Sequence, residues 1–183
     1  MLLAALYLLC GWDVLFVLAL PVAVHELGHL AALNAFGGKV RGLRMDLTGL
    51  KISCIGGMSA FGSFSIALAG PAAGIIFAFL SAWAGGHFSQ PLLTRCAGVS
   101  TVLSIFNMLP ALPLDGGRML AAALERRHDG GAKFLDITGT ITGGALMAAG
   151  IIFMWLGRGM ALEMAAVWLL LSQPGIVKRP GVL

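Results

Sequence analysis

Charged residues are scarce in this chain of 183 residues, which holds 12 Lys and Arg and 8 Asp and Glu. Charged residues make up 11% of the sequence, whereas hydrophobic residues make up 58%. A soluble domain needs far more polar surface than this composition can supply. The sequence therefore excludes a soluble globular enzyme and predicts a polytopic membrane protein. At this length we expect a single transmembrane domain over residues 1–183.

Cysteine is also rare, with only Cys10, Cys54 and Cys96 in the chain. The number is odd and no two of them form a Cys-x-x-Cys pair, so we expect neither a disulfide framework nor a thiolate metal site. The net charge of +4 is small, and the basic residues lie scattered in short loops. We therefore expect no nucleic-acid partner. The apolar N-terminus lacks a basic segment, so we also expect no cleaved signal peptide.

The His-Glu-x-x-His motif at His25, Glu26 and His29 is the strongest chemical signal in the chain, and apolar residues lie on both sides of it. On a helix, His25 and His29 lie on one face about one turn apart, so they can bind a single metal ion. Glu26 then lies near the metal without binding it, where its carboxylate can accept a proton from the attacking water. The alternative is that the motif is a chance match, and that the two histidines are hydrogen-bonded inside a helix bundle without binding a metal. Ionisable groups within an apolar span are costly and usually functional, which favours the metal site.

A catalytic zinc site needs a third protein ligand, which this motif does not contain. Residues 107–117 hold Pro110, Pro113 and then Asp115 before two glycines. Two prolines three residues apart cannot continue a helix, and irregular backbone at membrane depth is tolerated only where it is buried or lines a cavity. We predict that Asp115 completes a His2Asp site with one open position. The alternative is that Asp115 caps the helix expected at Gly116 to Arg127.

The remaining apolar runs predict further helices. We expect the motif helix at about residues 12–36, after an interruption at Gly11-Trp12-Asp13. The short apolar segment at residues 2–10 is expected either to span the membrane only in part or to begin a separate helix. Gly70 and Gly74 provide a small-residue face for helix packing in the second span, and His87 beyond it is expected to be solvated. The fold class is all-α and polytopic, with about five to six spans. The catalytic core is expected at about 12–127, and the further spans at about 62–84, 94–109, 137–156 and 160–173, the last two forming a C-terminal helix pair over about 137–173.

Residues 39–52 alternate between polar and apolar side chains around Thr48-Gly49. This alternation predicts a small membrane-associated β-hairpin, to which an extended peptide could add as a further strand. A basic surface loop is the alternative for this segment.

The basic residues of the loops predict the orientation of the chain. Arg95 and Arg158 lie on one side of the membrane in the predicted topology, and ten basic residues lie on the other, which the positive-inside rule makes cytoplasmic. His29 and Asp115 lie toward this cytoplasmic side, so we expect the active site to open toward the cytoplasm. The ten residues are Lys39, Arg41, Arg44, Lys51, Arg118, Arg126, Arg127, Lys133, Lys178 and Arg179.

Three motifs in this order resemble the site-2 protease family of intramembrane zinc metalloproteases, peptidase family M50. The motifs are His25 to His29, Ala69-Gly70-Pro71, and residues 107–117 with their Leu114-Asp115-Gly116 core. The resemblance covers about residues 14–127 and is nearest to the stage IV sporulation protein FB type, which lacks a PDZ domain. It implies three core helices around one zinc ion per chain.

The resemblance also implies roles for individual residues. His25, His29 and Asp115 match the zinc ligands of the family, and Glu26 matches its catalytic glutamate. Asn107 and Pro110 match a loop near the substrate strand.

The function implied by the resemblance is that of a zinc metalloendopeptidase in the bacterial cell membrane. It would hydrolyse membrane-embedded or membrane-associated substrates in regulated proteolysis, such as a membrane-tethered transcription-factor precursor in sporulation or an anti-sigma factor. The expected partners are the lipid bilayer, the protein or peptide substrate, and regulatory membrane proteins or a second copy of the chain. A metal-ion carrier and an inactive membrane scaffold are the alternatives. A carrier usually has more ionisable groups along its path than Asp13 and Glu163 provide.

Overall fold

The computed structural model describes the backbone of residues 2–46, 49–55, 59–125, 131–157 and 161–172, and the side chains of residues 12–38, 59–125, 131–157 and 163–172. Thr48 of the predicted turn and the basic residues Arg126, Arg127, Arg158, Lys178 and Arg179 lie outside the described residues. Within these ranges the elements are α1 (Leu2–Ala35), β1 (Lys39–Asp46), β2 (Gly49–Ile55), α2 (Ala60–His87), α3 (Pro91–Asn107), α4 (Asp115–Leu124), α5 (Gly131–Trp155) and α6 (Ala161–Ser172).

Helix α1 is continuous from Leu2 to Ala35, so the predicted break at Gly11 is wrong. A single glycine costs a helix only about 1 kcal/mol relative to alanine. In an apolar stretch the backbone groups also have no better partners than those within the helix. The helix ends where expected, because Gly37 adopts a positive φ of 69° and its N–H donates to the Asn34 carbonyl at 3.0 Å.

The chain divides into two compact units, of which the first comprises Met1–Gly37 and Ile66–Asn107. The buried side chains of α1 recur every fourth residue and form one stripe, at Val17, Pro21, His25, His29 and Leu33. A residue every four positions stays on one face of a helix. This stripe is therefore the face of α1 that packs inside the first unit, and both histidines of the motif belong to it.

Small residues allow α2 to approach its neighbours closely in this unit. A Cβ at Gly74 would overlap the Ser104 hydroxyl of α3, and the Ser100 hydroxyl donates to the Gly74 carbonyl at 2.8 Å. On the α1 side, a Cβ at Gly28 would lie 2.6 Å from the Ala69 carbonyl oxygen. These contacts confirm the prediction that the small residues of α2 form a packing face.

The second unit comprises Gly38–Ser65 and Met108–Leu183. Strands β1 and β2 pair antiparallel from Lys39 opposite Ile55 to Asp46 opposite Gly49, and the register shifts between Val40 and Gly42. The alternation of residues 39–52 thus corresponds to a strand pair. The placement of this pair at the membrane surface stays a prediction.

Helices α5 and α6 form an antiparallel pair in the second unit. A Cβ at Gly143 would overlap the Leu170 side chain, and a Cβ at Gly150 would lie 3.0 Å from Glu163 Cγ. The contact thus moves seven residues forward along α5, from Gly143 to Gly150, while it moves seven residues backward along α6, from Leu170 to Glu163, so the two helices run antiparallel. Ala166 on α6 is fully buried. Glycines on α5 let the two helices approach closely, as is common in lipid.

Three helices of the described part are long and apolar enough to cross a membrane, namely Trp12–Ala35, Ala60–His87 and Gly131–Trp155. A shorter apolar helix lies at Glu163–Ser172, and α3 has 17 residues. The chain is thus a nearly all-helical membrane protein. The total of five to six spans stays a prediction.

Candidate metal centre

His25 and His29 lie one turn apart on the buried stripe of α1 and are only 4% and 7% exposed. Their Nε2 atoms are 3.2 Å apart, and the two rings are nearly perpendicular, at 81°. Two nitrogen ligands at the usual zinc distance and tetrahedral angle lie about 3.3 Å apart. The histidine pair therefore fits one zinc ion, as the spacing of the motif predicts.

The backbone of α2 fixes the orientation of the His29 ring. His29 Nδ1 lies 2.7 Å from the Ile66 carbonyl oxygen. A carbonyl oxygen only accepts hydrogen bonds, so Nδ1 must carry the proton and donate. Nε2 of His29 then offers its lone pair to a metal. A hydrogen bond of this kind is the usual support for a metal-binding histidine.

The fit between α1 and α2 at this point depends on two glycines. A Cβ at Gly28 would lie 2.7 Å from the Cβ of Ala73. A Cβ at Gly70 would overlap the His29 ring, at 2.5 Å from Cε1 and 2.7 Å from Cδ2. The His29 ring consequently rests on the bare backbone of α2 at Gly70.

Glu26 is half-buried and directly follows His25 on α1. Successive helix residues point about 100° apart, so Glu26 does not share the buried face of the two histidines. This is the position expected for a base that acts beside a metal without binding it. Its catalytic role stays a prediction.

Asp115 is the first residue of α4, in the second unit, and is 5% exposed. The N-cap position is held by Leu114, which makes no side-chain hydrogen bond to the helix. The alternative of Asp115 as the helix cap is therefore wrong. Its Oδ1 lies 3.6 Å from Nη1 of Arg118, and a carboxylate at this end of a helix is further stabilised by the helix dipole.

The loop before Asp115 folds back onto the first turn of α4. The Leu114 N–H donates to the Ala111 carbonyl at 2.9 Å, and Ala111 is fully buried. A Cβ at Gly116 would lie 2.5 Å from the Leu109 carbonyl, and a Cβ at Gly117 would lie 2.5 Å from the Leu112 backbone nitrogen. The two glycines are thus required because loop backbone occupies the space of a side chain. The loop includes a cis peptide bond between Leu112 and Pro113.

The two residues predicted to contact substrate lie on either side of the end of α3. Asn107 is the last residue of α3, and its Nδ2 donates to the Leu103 carbonyl at 3.0 Å. Pro110 is exposed in the loop that follows. Asn107 belongs to the first unit and Pro110 to the second, and their contact with substrate stays a prediction.

The donor chemistry suits zinc. His25, His29 and Asp115 are all buried, and each offers one atom of the kind that holds a metal ion. Two imidazoles and one carboxylate form a common donor set of catalytic zinc, which leaves a fourth position open. His87, by contrast, is exposed at the end of α2 and stacks on Trp83, with ring centroids 5.5 Å apart.

Sequence reasoning missed the contribution of α2 to this centre. The residue pattern gave Gly70 a packing role only, and it gave Ile66 no role. The Ile66 contact uses a backbone carbonyl, which every residue has, so the side-chain pattern carries no signal of it.

Residues 86–150 match the model of the family described as Peptidase family M50. Zinc metalloprotease MJ0392 of Methanocaldococcus jannaschii is 30% identical over 123 residues, which cover 64% of this chain and 36% of that protein. A Mycobacterium tuberculosis relative that bears the name zinc metalloprotease Rip3 is 32% identical over 135 residues, which cover 68% of this chain and 34% of the relative. The chain thus spans about a third of the length of these relatives.

A solved structure, that of the site-2 protease from Methanocaldococcus jannaschii, matches with a TM-score of 0.73. The match covers 100% of this chain and 87% of that one, at 20% sequence identity. At this identity the likeness shows the fold. The chain is thus similar in sequence to peptidase family M50 and to relatives named zinc metalloproteases, and its fold is like that of the site-2 protease structure.

Proposed function

We propose that this chain is an intramembrane zinc metalloendopeptidase of the site-2 protease family. The observation that carries the proposal is the buried histidine pair of α1, whose Nε2 atoms lie 3.2 Å apart. Placing two imidazoles inside an apolar helix costs free energy, and ionisable residues found there are usually functional. The hydrogen bond from His29 Nδ1 to Ile66 reserves the other ring nitrogen for a metal.

We propose that one zinc ion per chain is held by His25, His29 and Asp115. When bound, zinc acts as a Lewis acid that polarises the scissile carbonyl and makes water more acidic. Glu26 accepts the proton of the attacking water and passes it to the leaving amine, so one carboxylate acts first as base and then as acid. Arg118 places a positive charge beside the Asp115 carboxylate, with its Nη1 3.6 Å from Asp115 Oδ1.

The substrates in this proposal are membrane-embedded or membrane-associated polypeptides that reach the site in an extended form. The carbonyls of a helix are hydrogen-bonded and shielded, so a transmembrane substrate must first unwind. The β1–β2 pair offers an edge to which an extended segment can add. Asn107 and Pro110 are the proposed contacts beside the scissile bond. A membrane-tethered transcription-factor precursor or an anti-sigma factor fits this class, and a sporulation role of the stage IV sporulation protein FB type is the narrower form of the proposal.

The experiment that tests the proposal is reconstitution of the purified chain in proteoliposomes with a co-reconstituted membrane extract. We expect cleavage with the zinc-loaded protein, loss of cleavage after chelation, and recovery when zinc is restored. Zinc uptake into sealed vesicles without cleavage would instead indicate a metal-ion carrier. Zinc binding with neither uptake nor cleavage would indicate an inactive scaffold.

A further inference from the structure

We propose that α2 contains a positioning element for the metal centre, made of the Ile66 carbonyl and the bare backbone at Gly70, which together set the His29 ring for metal binding. This inference rests on the proposed function, because it requires a metal at the histidine pair. It adds two residues outside the His-Glu-x-x-His motif to the machinery of the site.

The first part of the element is the hydrogen bond from His29 to Ile66. A carbonyl oxygen has two lone pairs, so the Ile66 carbonyl can accept a bond within α2 and a second bond from the imidazole. The 2.7 Å distance between Nδ1 and the carbonyl oxygen is short for a bond of this type. His29 is only 7% exposed, so water competes little for its ring. The bond therefore fixes both the tautomer and the tilt of the ring.

The second part is the absence of a side chain at Gly70. The position that a Cβ would occupy there is 2.5 Å from His29 Cε1 and 2.7 Å from Cδ2. Any other residue would push the ring away from α2. That movement would stretch the hydrogen bond to Ile66. It would also move His29 Nε2 away from His25 Nε2, which lies 3.2 Å from it in the structure.

Gly74 provides a matched comparison one turn further along α2. A Cβ at Gly74 would meet the Ser104 hydroxyl of α3 rather than either histidine. Gly70 and Gly74 both belong to the packing face of α2, but only Gly70 touches a proposed metal ligand. Gly98 of α3 gives a second comparison, because a Cβ there would meet nothing within 4 Å.

The test compares Gly70→Ala, Gly74→Ala and Gly98→Ala in the full chain in detergent. The zinc affinity is measured by competition with a chromogenic chelator, the ligand geometry by the visible absorption of the Co²⁺-loaded protein, and the stability by thermal unfolding of the metal-free protein. We expect Gly70→Ala to weaken zinc binding about 10–100-fold, the effect typical of losing a group that orients a metal ligand, and to change the Co²⁺ spectrum. Gly74→Ala should lower the unfolding temperature and leave zinc affinity unchanged. Gly98→Ala should leave zinc affinity unchanged without lowering the unfolding temperature, because alanine favours an exposed helical position over glycine.

A Gly70→Ala protein with wild-type zinc affinity and an unchanged Co²⁺ spectrum would overturn the inference. An equal loss of zinc affinity in Gly74→Ala would also overturn it, since a packing defect would then be sufficient. If the wild-type chain binds no zinc, the proposed function itself fails, and this result is distinct from the other two.

A measurement on the wild-type chain covers the case in which Gly70→Ala does not fold. In ¹⁵N-histidine NMR spectra of the zinc-loaded protein, with His29 assigned by means of His29→Gln, we expect zinc on Nε2 and a slowly exchanging proton on Nδ1. Zinc on Nδ1 of His29 would overturn the inference.

Discussion

A histidine that binds a metal usually donates a hydrogen bond from its other ring nitrogen to a protein group. His29 has such a partner in the Ile66 carbonyl, 2.7 Å from Nδ1. Asp115 has a longer-range partner, an ion pair in which Arg118 Nη1 lies 3.6 Å from Asp115 Oδ1. His29 and Asp115 thus have neighbouring groups that the three motifs alone do not identify.

Replacing the proposed base should separate chemistry from metal binding. Glu26→Gln keeps the size of the side chain but removes its ability to accept a proton. We expect cleavage to slow by about 10²–10⁴-fold, the usual contribution of general acid–base catalysis, with zinc content unchanged by elemental analysis. Glu125→Gln, at the exposed end of α4, is the matched control and should behave as wild type. A Glu26→Gln protein that cleaves at the wild-type rate would refute the catalytic role.

Removing the proposed third ligand should affect the metal directly. We expect Asp115→Ala to weaken zinc binding by more than the about 10–100-fold typical of a group that only orients a ligand. Chelator competition measures this loss. Asp136→Ala removes an exposed carboxylate from α5 and should leave zinc binding intact. Wild-type affinity in Asp115→Ala would mean that the carboxylate has only a structural role at the start of α4.

The candidate chemical residues come from the sequence alone, whereas the groups that contact them come from the structure. The spacing of His25 and His29 follows from helix geometry, and the prolines before Asp115 indicated a shaped loop rather than a simple cap. The structure agrees on the last point, since Leu114 occupies the N-cap position. The contact between His29 and Ile66 joins residues 37 positions apart through a backbone atom, which no local pattern encodes.

Among the secondary-structure elements, the hydrophobic runs predicted which segments are helical more accurately than they predicted where each helix begins and ends. Gly11 did not break α1, because the energetic cost of one glycine is small against the hydrogen bonds of a helix in apolar surroundings. Helix α5 begins at Gly131 rather than at residue 137, because Lys133 and Asp136 are exposed and compatible with a helix. The alternation of residues 39–52 predicted the strand pair, but the register shift near Gly42 depends on the pairing between the two strands.

The glycines of α5 allow a prediction about the α5–α6 pair. Gly143→Ala should destabilise the protein by about 1–3 kcal/mol, the usual cost of overpacking, because its Cβ would overlap Leu170. Gly144→Ala is the control, since a Cβ there meets nothing within 4 Å. Unfolding in detergent measures the stability of both variants. In the double variant Gly143→Ala/Leu170→Ala, the smaller side chain at position 170 should relieve the overlap. Equal stability of the two single variants would contradict the described packing of α5 on α6.

At the scale of the whole molecule, the exposed apolar side chains indicate a lipid environment. Trp155 is 92% exposed, and Phe79 is 71% exposed. Large exposed apolar surfaces on a soluble protein would cause association, whereas in a bilayer they face lipid.

The distribution of basic residues predicts the orientation, which labelling of single cysteines can test. In a chain whose native cysteines are replaced by serine, Glu125→Cys should react with an impermeant maleimide only from the cytoplasmic side. Ser89→Cys, beyond the end of α2, should react only from the opposite side. We expect this result because ten of the 12 Lys and Arg residues lie on the predicted cytoplasmic side. The reverse labelling pattern would place the metal centre at the other face.

The most direct test of the central claim maps new peptide termini by mass spectrometry in proteoliposomes that contain a membrane extract together with the zinc-loaded chain. We expect new termini within or next to membrane-spanning segments, present with the wild-type chain and absent both with Glu26→Gln and after zinc removal. The same termini with the zinc-loaded Glu26→Gln protein, or with zinc-free wild-type protein, would contradict zinc-dependent hydrolysis with Glu26 as the base.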